Sequence, residues 1–549
     1  MPPTAFDPSR RYDRQVRLWG EEGQTSIGAT TVCVLGSDSL ATEILKSLVL
    51  AGIQSFHIVD DALVIPPDVG QNFFLHTSDI GRLRSEATLD KLTELNPSVS
   101  GSFSAHSATA LNHEDLEKLA GFSVVVAANQ TEEVETQFAR VLYPLGVPFV
   151  CIRTYGLLGT IKICIREHTI ANTHEENPRP DLRLDVPFPK LLEMVHETIL
   201  EDLTIEQLRH TPYILLHFKA LEQFRKEKND LEAFPETYKD RQEIQRLLKG
   251  FRRSGDEESN GGSKDSENFD EARTAVTRAF QKTQICSSVK EILLDAQTSN
   301  STQPFWLICE AIRRFVATSD GLLPLRGTLP DMTSDSSRYT RLATMFHEKA
   351  LHDAQEVLRL TRIVEKERGV GDVISDEMCY RFCKNADRIR VQRGEVLDYD
   401  KEMVQIVEKI LEVEVDPKEE KKEKKKVDPA TWMLLLRAAG RFRKEKARFP
   451  GTNGVPVNID AMDLKKRVEA MVKEVVKDDS IVSSVFERVT TSAISEMTRF
   501  GAAELHVVSS YIGGIAAQEI IKLATNQYVP LDNTFIFDGH TQESDTLKL

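Results

Sequence analysis

The segment VLGSDSLATEI, residues 34–44, has the residue order of a strand, a turn and the start of a helix. In nucleotide-binding proteins this arrangement carries the pattern GxGxxG, whose backbone N–H groups hold a pyrophosphate at the helix N-terminus. Here Gly36 is followed by Asp38 and Ala41 where further glycines are expected. Side chains at these positions crowd a phosphate, and the carboxylate repels its charge. The loop is therefore predicted to derive from a nucleotide site but not to bind phosphate.

A second group that could act on phosphates is the run of arginines in SRRYDRQVRLW, which are Arg10, Arg11, Arg14 and Arg17. A guanidinium forms two-pronged hydrogen bonds to a phosphate, so one of these residues could stabilise charge during phosphoryl transfer. Considered without further context, the residue types favour a solvated basic face.

Seven cysteines are scattered along the chain without a CxxC pair, so neither a disulfide framework nor a zinc site is indicated. Cys309 lies at helical spacing among the apolar residues of PFWLICEAIRRFV and is predicted to belong to a core. Cys286 precedes SSVKEIL, a helix start whose dipole favours a thiolate. Because the sequence places no acid or base beside it, an inert thiol is favoured over a nucleophile.

The elements that must position these residues change along the chain. Up to residue 165, strand patterns such as TVCVLG and SVVVAA alternate with helical patterns, which predicts an α/β fold with a doubly wound, mostly parallel sheet. The chain is then almost entirely helical in pattern until a buried helix, HVVSSYIGGIAAQEIIKLATNQ, and a strand, NTFIFDGH, return to the sheet. We predict a first domain from 1–168 and 486–549, with a large all-helical insertion at 169–485.

Composition restricts the partners. The excess of 85 acidic over 70 basic residues gives a net charge of -15, which argues against a nucleic acid as partner. No stretch approaches 18 uninterrupted apolar residues, so we expect an intracellular protein that does not cross a membrane. Residues 251–271 and the lysine-rich stretch from Asp416 are predicted to be solvated and unstructured, with a targeting role for the lysines as the alternative.

Three stretches carry a family resemblance: RYDRQVRLWGEEGQ, DDALVIPPDVGQNFFLHTSDIGRLRSEA and GAAELHVVSSYIGGIAAQEIIK. Together they resemble the adenylation domain of ubiquitin-like-protein activating enzymes and their bacterial MoeB and ThiF relatives. The length, the helical insertion and the phrases RTYGLLG and HTPYILL resemble the regulatory subunits of heterodimeric enzymes that activate Nedd/Rub-type modifiers. The resemblance implies a degenerate Rossmann-like adenylation fold and a location in cytoplasm and nucleus.

The resemblance also gives meaning to the altered loop. Active members read G-x-G-G-x-G, where this chain has Gly36, Asp38, Ser39 and Ala41. Their S-N-x-x-R-Q-F segment, their lysine and their metal-binding aspartate correspond here to Pro67, Asp68, Gln71, Asn72 and Phe73, to Arg84, and to Asn129. Asp60, which would bind the ribose hydroxyls, is retained. The resemblance therefore implies that this chain binds no cofactor or metal, and that ATP and Mg²⁺ belong to the partner subunit.

Within the Y-x-R-Q motif of this family, Arg14 is the candidate arginine finger that reaches into the partner's ATP site. This reverses the preference for a solvated basic face. The implied partners are a catalytic subunit, in an obligate heterodimer, and a Nedd/Rub-type modifier. Two alternatives stay open: a self-sufficient MoeB/ThiF-like or dinucleotide-binding enzyme, and a pure interaction protein.

Overall fold

The computed structural model describes residues 11–175, 179–252, 267–412, 427–501 and 503–549. Two compact units are present: Met1–His168 with Val391–Leu549, and Thr169–Arg390. The sequence predicts the return to the first domain at residue 486, but the chain is already part of the first unit from Val391. The sequence pattern did not reveal this boundary, because a helical period shows which face of a helix is apolar but not what covers that face. Of the segments predicted to be unstructured, residues 253–266 and 416–426 lie outside the described residues. The prediction was wrong for residues 267–271, which form the start of the helix Glu267–Ala279.

In the described ranges the chain forms ten strands: β1 Thr31–Leu35, β2 Ser55–Val59, β3 Ser100–Ser104, β4 Val124–Ala128, β5 Phe149–Tyr155, β6 Leu158–Cys164, β7 His168–Ile170, β8 Arg390–Gln392, β9 Thr534–Asp538 and β10 Glu543–Leu547. Eight of them form one sheet in the order β10-β9-β6-β5-β4-β1-β2-β3. The pairs from β3 to β5 are parallel and those from β5 to β10 antiparallel. The predicted mostly parallel sheet is confirmed, and β4 is buried along its whole length, as expected for a strand covered on both faces.

Six helices accompany the first strands: α1 Asp13–Gly28, α2 Ser39–Ala51, α3 Pro66–Gln71, α4 Arg84–Leu95, α5 His113–Lys118 and α6 Glu132–Leu145. The helix α2 is buried for most of its length because apolar side chains occur on nearly every face. It ends at Gly52, whose left-handed backbone terminates the hydrogen-bond ladder.

The second unit is built of nine helices in its described residues: α7 Pro189–Glu197, α8 Ile205–Arg209, α9 Tyr213–Lys228, α10 Tyr238–Gly250, α11 Glu267–Ala279, α12 Ser287–Thr298, α13 Pro304–Thr318, α14 Ser336–Glu367 and α15 Asp376–Lys384. One of its cores is formed by aromatic residues that include Phe224, Phe269 and Phe346, all at most 2% exposed. The helical nature of this region agrees with the sequence pattern. Across the described ranges, no helix is both long and apolar enough to cross a membrane.

After Val391 the first unit continues with six helices: α16 Tyr399–Glu412, α17 Pro429–Lys446, α18 Val457–Val475, α19 Asp479–Arg488, α20 Thr491–Phe500 and α21 His506–Thr525. The core of α16 to α20 includes Tyr155, Leu158 and Ile536, which belong to the sheet. These helices are therefore anchored on strands of the first unit. The helix α21 lies against α2, and a Cβ atom added to Gly513 would come 3.0 Å from Cβ of Glu43, which explains the small residues in this helix.

Candidate functional site

The altered loop lies between the end of β1 and the start of α2. Gly36 has a φ of 103°, in a region that favours glycine. A Cβ atom there would lie 3.1 Å from the carbonyl oxygen of Ala128 and 3.2 Å from Nε2 of Gln130. Backbone geometry and close packing against the end of β4 thus both require the glycine at this position.

Asp38 places its carboxylate at the N-terminus of α2. Its Oδ1 accepts a hydrogen bond of 2.9 Å from the backbone N–H of Ala41, and its Oδ2 accepts one of 2.8 Å from Nδ2 of Asn129. A helix N-terminus of this kind is where a phosphate would receive backbone N–H groups. In this chain a side-chain carboxylate caps the helix instead.

Asp60, at the end of β2, is fully engaged within the chain. Its Oδ2 accepts hydrogen bonds from Ser37 Oγ and from Arg84, with Nη2 at 2.9 Å and Nε at 3.2 Å. Its Oδ1 accepts from the backbone N–H of Ala62 at 3.1 Å. A ribose bound to this carboxylate would have to displace these internal donors. The retained acidic residue therefore performs a structural task.

Arg84, which the family resemblance places at the lysine of active members, joins two carboxylates. Besides Asp60 it contacts Asp68, with Nη1 and Oδ1 3.4 Å apart. Burial disfavours the charged form of Arg84, but the neighbouring carboxylates of Asp60, Asp38 and Asp68 raise its pKa above the ordinary value. The guanidinium is thus held as a permanent cation between acidic groups of its own chain.

The family resemblance places Asn129 at the position of a metal-binding aspartate in active members. Its backbone is left-handed, with a φ of 51°, a conformation that asparagine tolerates better than most residues. Its Oδ1 accepts from the backbone N–H of Thr154 at 2.8 Å, while its Nδ2 donates to Asp38. Both ends of the amide are occupied by the protein. No group of three or more potential metal ligands occurs in the part of the chain that the structure describes.

The segment after α3 supports the loop from the side. The carbonyl oxygen of Gln71 accepts a hydrogen bond of 3.0 Å from Ser39 Oγ, and Asn72 Nδ2 donates to Thr42 Oγ1 at 2.9 Å. Ala41 and Asn72 are buried. These contacts tie the region of α3 to the first turn of α2.

Glu504 is a member of the site that the sequence does not reveal. Burial, and then the nearby charge of Asp38, raise the pKa of Glu504 to about 8, although Arg84 acts in the opposite direction. The region around the Gly36 loop, which we call the loop end, therefore holds four acidic residues near Arg84. They are Asp38, Asp60, Asp68 and Glu504. The phrase FGAAELH contains Glu504 but offers no spacing that predicts this position.

The N-terminal arginines differ in their surroundings. Arg11 donates to the carbonyl oxygen of Leu95 at 2.8 Å, and Arg17 forms an exposed pair with Asp13 at 3.0 Å. Arg14, on α1, is exposed, and no hydrogen bond or ion pair holds its guanidinium within the described ranges. It does not line the cleft that contains the Gly36 loop. Arg10 lies outside the described residues.

The helix α1 that carries Arg14 is fixed to the unit by other residues. Tyr12, just before α1, accepts a hydrogen bond of 3.0 Å from Asn96 Nδ2. Trp19 is 5% exposed and packs edge-on against Tyr528, with the ring centroids 5.2 Å apart. The motif therefore presents Arg14 from an anchored segment.

The cysteines give no second site. Six of the seven, including Cys309, are buried as free thiols. Cys286 is exposed and immediately precedes α12, with its Sγ 3.2 Å from Ser288 Oγ. A serine hydroxyl is a poor base for activating a thiol, so this neighbour does not favour the nucleophile alternative.

One cleft of about 1640 Å³ contains Gly36, Asp38, Asp60, Arg84, Asn129 and Glu504. It continues along residues of α6 and α17 in the same unit. The loop end combines a helix N-terminus that is already capped with a local excess of carboxylates. Chemically, this end of the cleft disfavours a polyphosphate.

The family comparison agrees with the fold and with the loop. The model of the ThiF family matches residues 12–549. The chain belongs to the ThiF family. The adenylation-type fold that the sequence predicted is thereby confirmed, as a ThiF-family α/β fold with a helical insertion.

Within the ThiF family, the chain is similar to curated regulatory subunits over its whole length. It is 72% identical to the NEDD8-activating enzyme E1 regulatory subunit of Caenorhabditis elegans, covering 99% of both chains. It is 36% identical to the subunit of the same name from Danio rerio, covering 98% of both. The Arabidopsis thaliana subunit AXR1 is 31% identical, over 100% of this chain and 97% of the relative. The resemblance to regulatory subunits of Nedd/Rub-type activating enzymes is confirmed.

Proposed function

We propose that this chain is the regulatory subunit of a heterodimeric activating enzyme for a Nedd/Rub-type ubiquitin-like modifier. Its catalytic partner would hold ATP, Mg²⁺ and the thioester cysteine. The full-length similarity to proteins named NEDD8-activating enzyme E1 regulatory subunit supports this assignment. The single structural observation that carries it is the carboxylate of Asp38, which caps α2 where a phosphate would bind.

In the proposed reaction, a carboxylate oxygen of the modifier's C-terminal glycine attacks the α-phosphorus of ATP and pyrophosphate leaves. The thiolate of the partner's cysteine then attacks the acyl carbon, and AMP leaves. This chain contributes neither nucleophile. Its own loop holds the carboxylate of Asp38 at the helix N-terminus where negative phosphates would come, and this charge would oppose them.

Arg14 is the residue of this chain that we assign to the partner's ATP site. A guanidinium there would stabilise negative charge on the phosphates in the transition state. Its exposure, its anchored helix and the absence of a described partner for its side chain support this role. Arg11 and Arg17 already have partners in the chain, so they are weaker candidates.

An exposed apolar surface on the first unit supports an obligate partner. Phe73 is 74% exposed and packs against His506, with ring centroids 3.7 Å apart. Val507, next in the chain, is 79% exposed, and Tyr511 lies one turn further along α21. Large exposed apolar side chains of this kind are typical of protein interfaces.

The test is an ATP–pyrophosphate exchange assay on the isolated chain, on the catalytic subunit and on the reconstituted pair, each with modifier and Mg²⁺. We expect exchange from the pair and none from this chain alone. Magnesium-dependent exchange by the isolated chain would instead support a self-sufficient ThiF-like enzyme. Copurification without any catalytic subunit, with no gain in exchange on mixing, would support a pure interaction protein.

A further inference from the structure

The cleft extends far beyond the Gly36 loop. Its second end, which we call the helical end, is lined by residues of α6 that include Thr136 and Arg140, and by residues of α17 that include Ala439, Gly440 and Arg443. A small-molecule pocket typically measures about 300–1,000 Å³, whereas this cleft measures about 1640 Å³. A Cβ atom added to Gly440 would meet nothing within 4 Å. The cleft as a whole, with both of its ends, therefore has room for a larger ligand.

Three ion pairs support the wall of the helical end. Arg153 on β5 donates from Nε to Glu135 at 3.0 Å, and Arg437 on α17 donates to Glu132 at 3.3 Å. Lys162 on β6 pairs with Glu402 on α16. All three cations lie around the ring of Tyr399. In this set each cation has a carboxylate of its own.

Arg443 is one of two cations of this wall that have no carboxylate partner in the described ranges. Its guanidinium carbon lies 4.6 Å from the ring centroid of Phe449, which also lines the cleft. Partial burial, and then the positive charge of Arg153, lower the pKa of Arg443. Arg443 itself is exposed, and a cation near a second cation gains from an added anion.

Arg140, on α6, is exposed to the same cleft and likewise has no ion pair in the described part of the chain. Lys444 and Arg441, also on α17, are by contrast paired with Glu133 and Glu474. The free positive charge of the helical end is therefore concentrated at Arg140 and Arg443.

We propose that the helical end binds an extended acidic polypeptide segment, one of whose carboxylates pairs with Arg443 and another with Arg140. The size of the cleft favours a polypeptide over a nucleotide. The carboxylate of Asp38 at the loop end disfavours a polyphosphate that would span both ends. This site goes beyond the proposed function, which places no ligand in the cleft.

The test uses the full-length chain and a fluorescein-labelled octapeptide of alternating glutamate and glycine, with binding followed by fluorescence anisotropy. The matched peptide with glutamine in place of glutamate is the uncharged probe. We expect the acidic peptide to bind and the glutamine peptide to bind at least tenfold more weakly. Arg443→Gln should weaken binding of the acidic peptide about tenfold, since a hydrogen bond to a charged group is lost.

Lys446→Gln is the matched control. The substitution removes one positive charge from the end of α17, and Lys446 does not line the cleft. It should change the affinity less than about twofold, because an exposed charge contributes little. Arg140→Gln serves as the second variant if Arg443→Gln does not fold, and it too should weaken binding. Thermal unfolding of each variant separates binding from stability.

Several results would overturn the assignment. One is failure of the acidic peptide to bind. Another is peptide binding that neither arginine variant weakens. If Arg443→Gln then lowers the melting temperature, Arg443 serves only its contact with Phe449. Inorganic pyrophosphate is titrated in parallel, and Arg443-dependent binding of pyrophosphate without the peptide would replace the polypeptide by a phosphate ligand. None of these results bears on exchange activity, so the proposed function is tested separately.

Discussion

The two ends of the cleft differ in how their charges are paired. At the loop end, Asp38, Asp60 and Asp68 are bound by donors of the same chain, and Arg84 is shared between two of them. At the helical end, Arg140 and Arg443 have no carboxylate partner in the described ranges, whereas Arg153, Arg437 and Lys162 each have one. The comparison suggests a rule for this molecule: groups paired internally maintain the fold, and groups left unpaired are available to a partner.

Arg84→Met is expected to have the largest effect, because it removes the cation that the loop end pairs internally. Asp60 and Asp68 would be left beside Asp38 and Glu504 without their arginine. Breaking a mostly buried pair of this kind should lower the free energy of unfolding by about 3 kcal/mol, measured by urea denaturation. Arg82→Met is the control, because Arg82 is more exposed than Arg84 and pairs with the exposed Asp90 as well as with Asp79; it should change stability less. Equal effects would contradict the internal pairing.

Arg14→Ala tests the opposite case, an arginine without a partner in its own chain. Loss of a charged hydrogen bond worth about 1.5–3 kcal/mol should slow adenylate formation by the heterodimer roughly ten- to a hundredfold. Stability and dimer formation should be unchanged, because an exposed guanidinium contributes little to either. Pyrophosphate exchange at subsaturating ATP measures the effect.

Arg17→Ala is the control for Arg14, since Arg17 already pairs with Asp13. It should slow exchange less. Arg14→Lys should recover part of the activity, because a lysine supplies the charge without the two-pronged geometry. Unchanged exchange in Arg14→Ala, with the dimer intact, would return the N-terminal arginines to the solvated-face interpretation.

Glu504→Gln sharpens the comparison through pH. The folded chain raises the pKa of Glu504 to about 8, so between the unfolded value near 4.5 and pH 8 the folded state holds the extra proton. Stability of the native protein should therefore fall as pH rises through this window. The glutamine variant lacks this dependence, so it should gain stability relative to the native protein as the pH rises from 5 to 8. Denaturation curves of both proteins at pH 5 and pH 8 measure this gain. An equal stability difference between variant and native protein at the two pH values would contradict the raised pKa of Glu504.

Restoring glycines at Asp38, Ser39 and Ala41 should have the smallest effect on function. The triple variant removes the carboxylate cap, which should cost about 1 kcal/mol. Arg84 would still be engaged by Asp60 and Asp68, and the amide of Asn129 would still supply no metal ligand. We expect no pyrophosphate exchange by the isolated variant. Measurable exchange would mean that the loop was the single defect and that the correspondence proposed for Asn129 and Gln71 is wrong.

The sequence by itself determined the local elements and the altered residue types. Short, near-continuous apolar segments that alternate with helical patterns predicted the sheet. A strand buried on both faces requires such a segment, as in β4. The position of Gly36 was predictable because a strand-to-helix turn needs a backbone that other residues avoid. The substitutions at Asp38, Arg84 and Asn129 could also be identified by their places in the motifs.

The tertiary structure alone decided what those residues contact. Asp38 and Asn129 are 91 positions apart in sequence, and Glu504 reaches the loop from the far end of the chain. Periodicity describes one helix at a time, so it gave neither the boundary at Val391 nor the cover that α16 to α20 provide for the sheet. Whether an arginine is paired depends on distances across such contacts. Arg84 and Arg443 are the same residue type, but in the described ranges Arg84 has carboxylate partners and Arg443 has none.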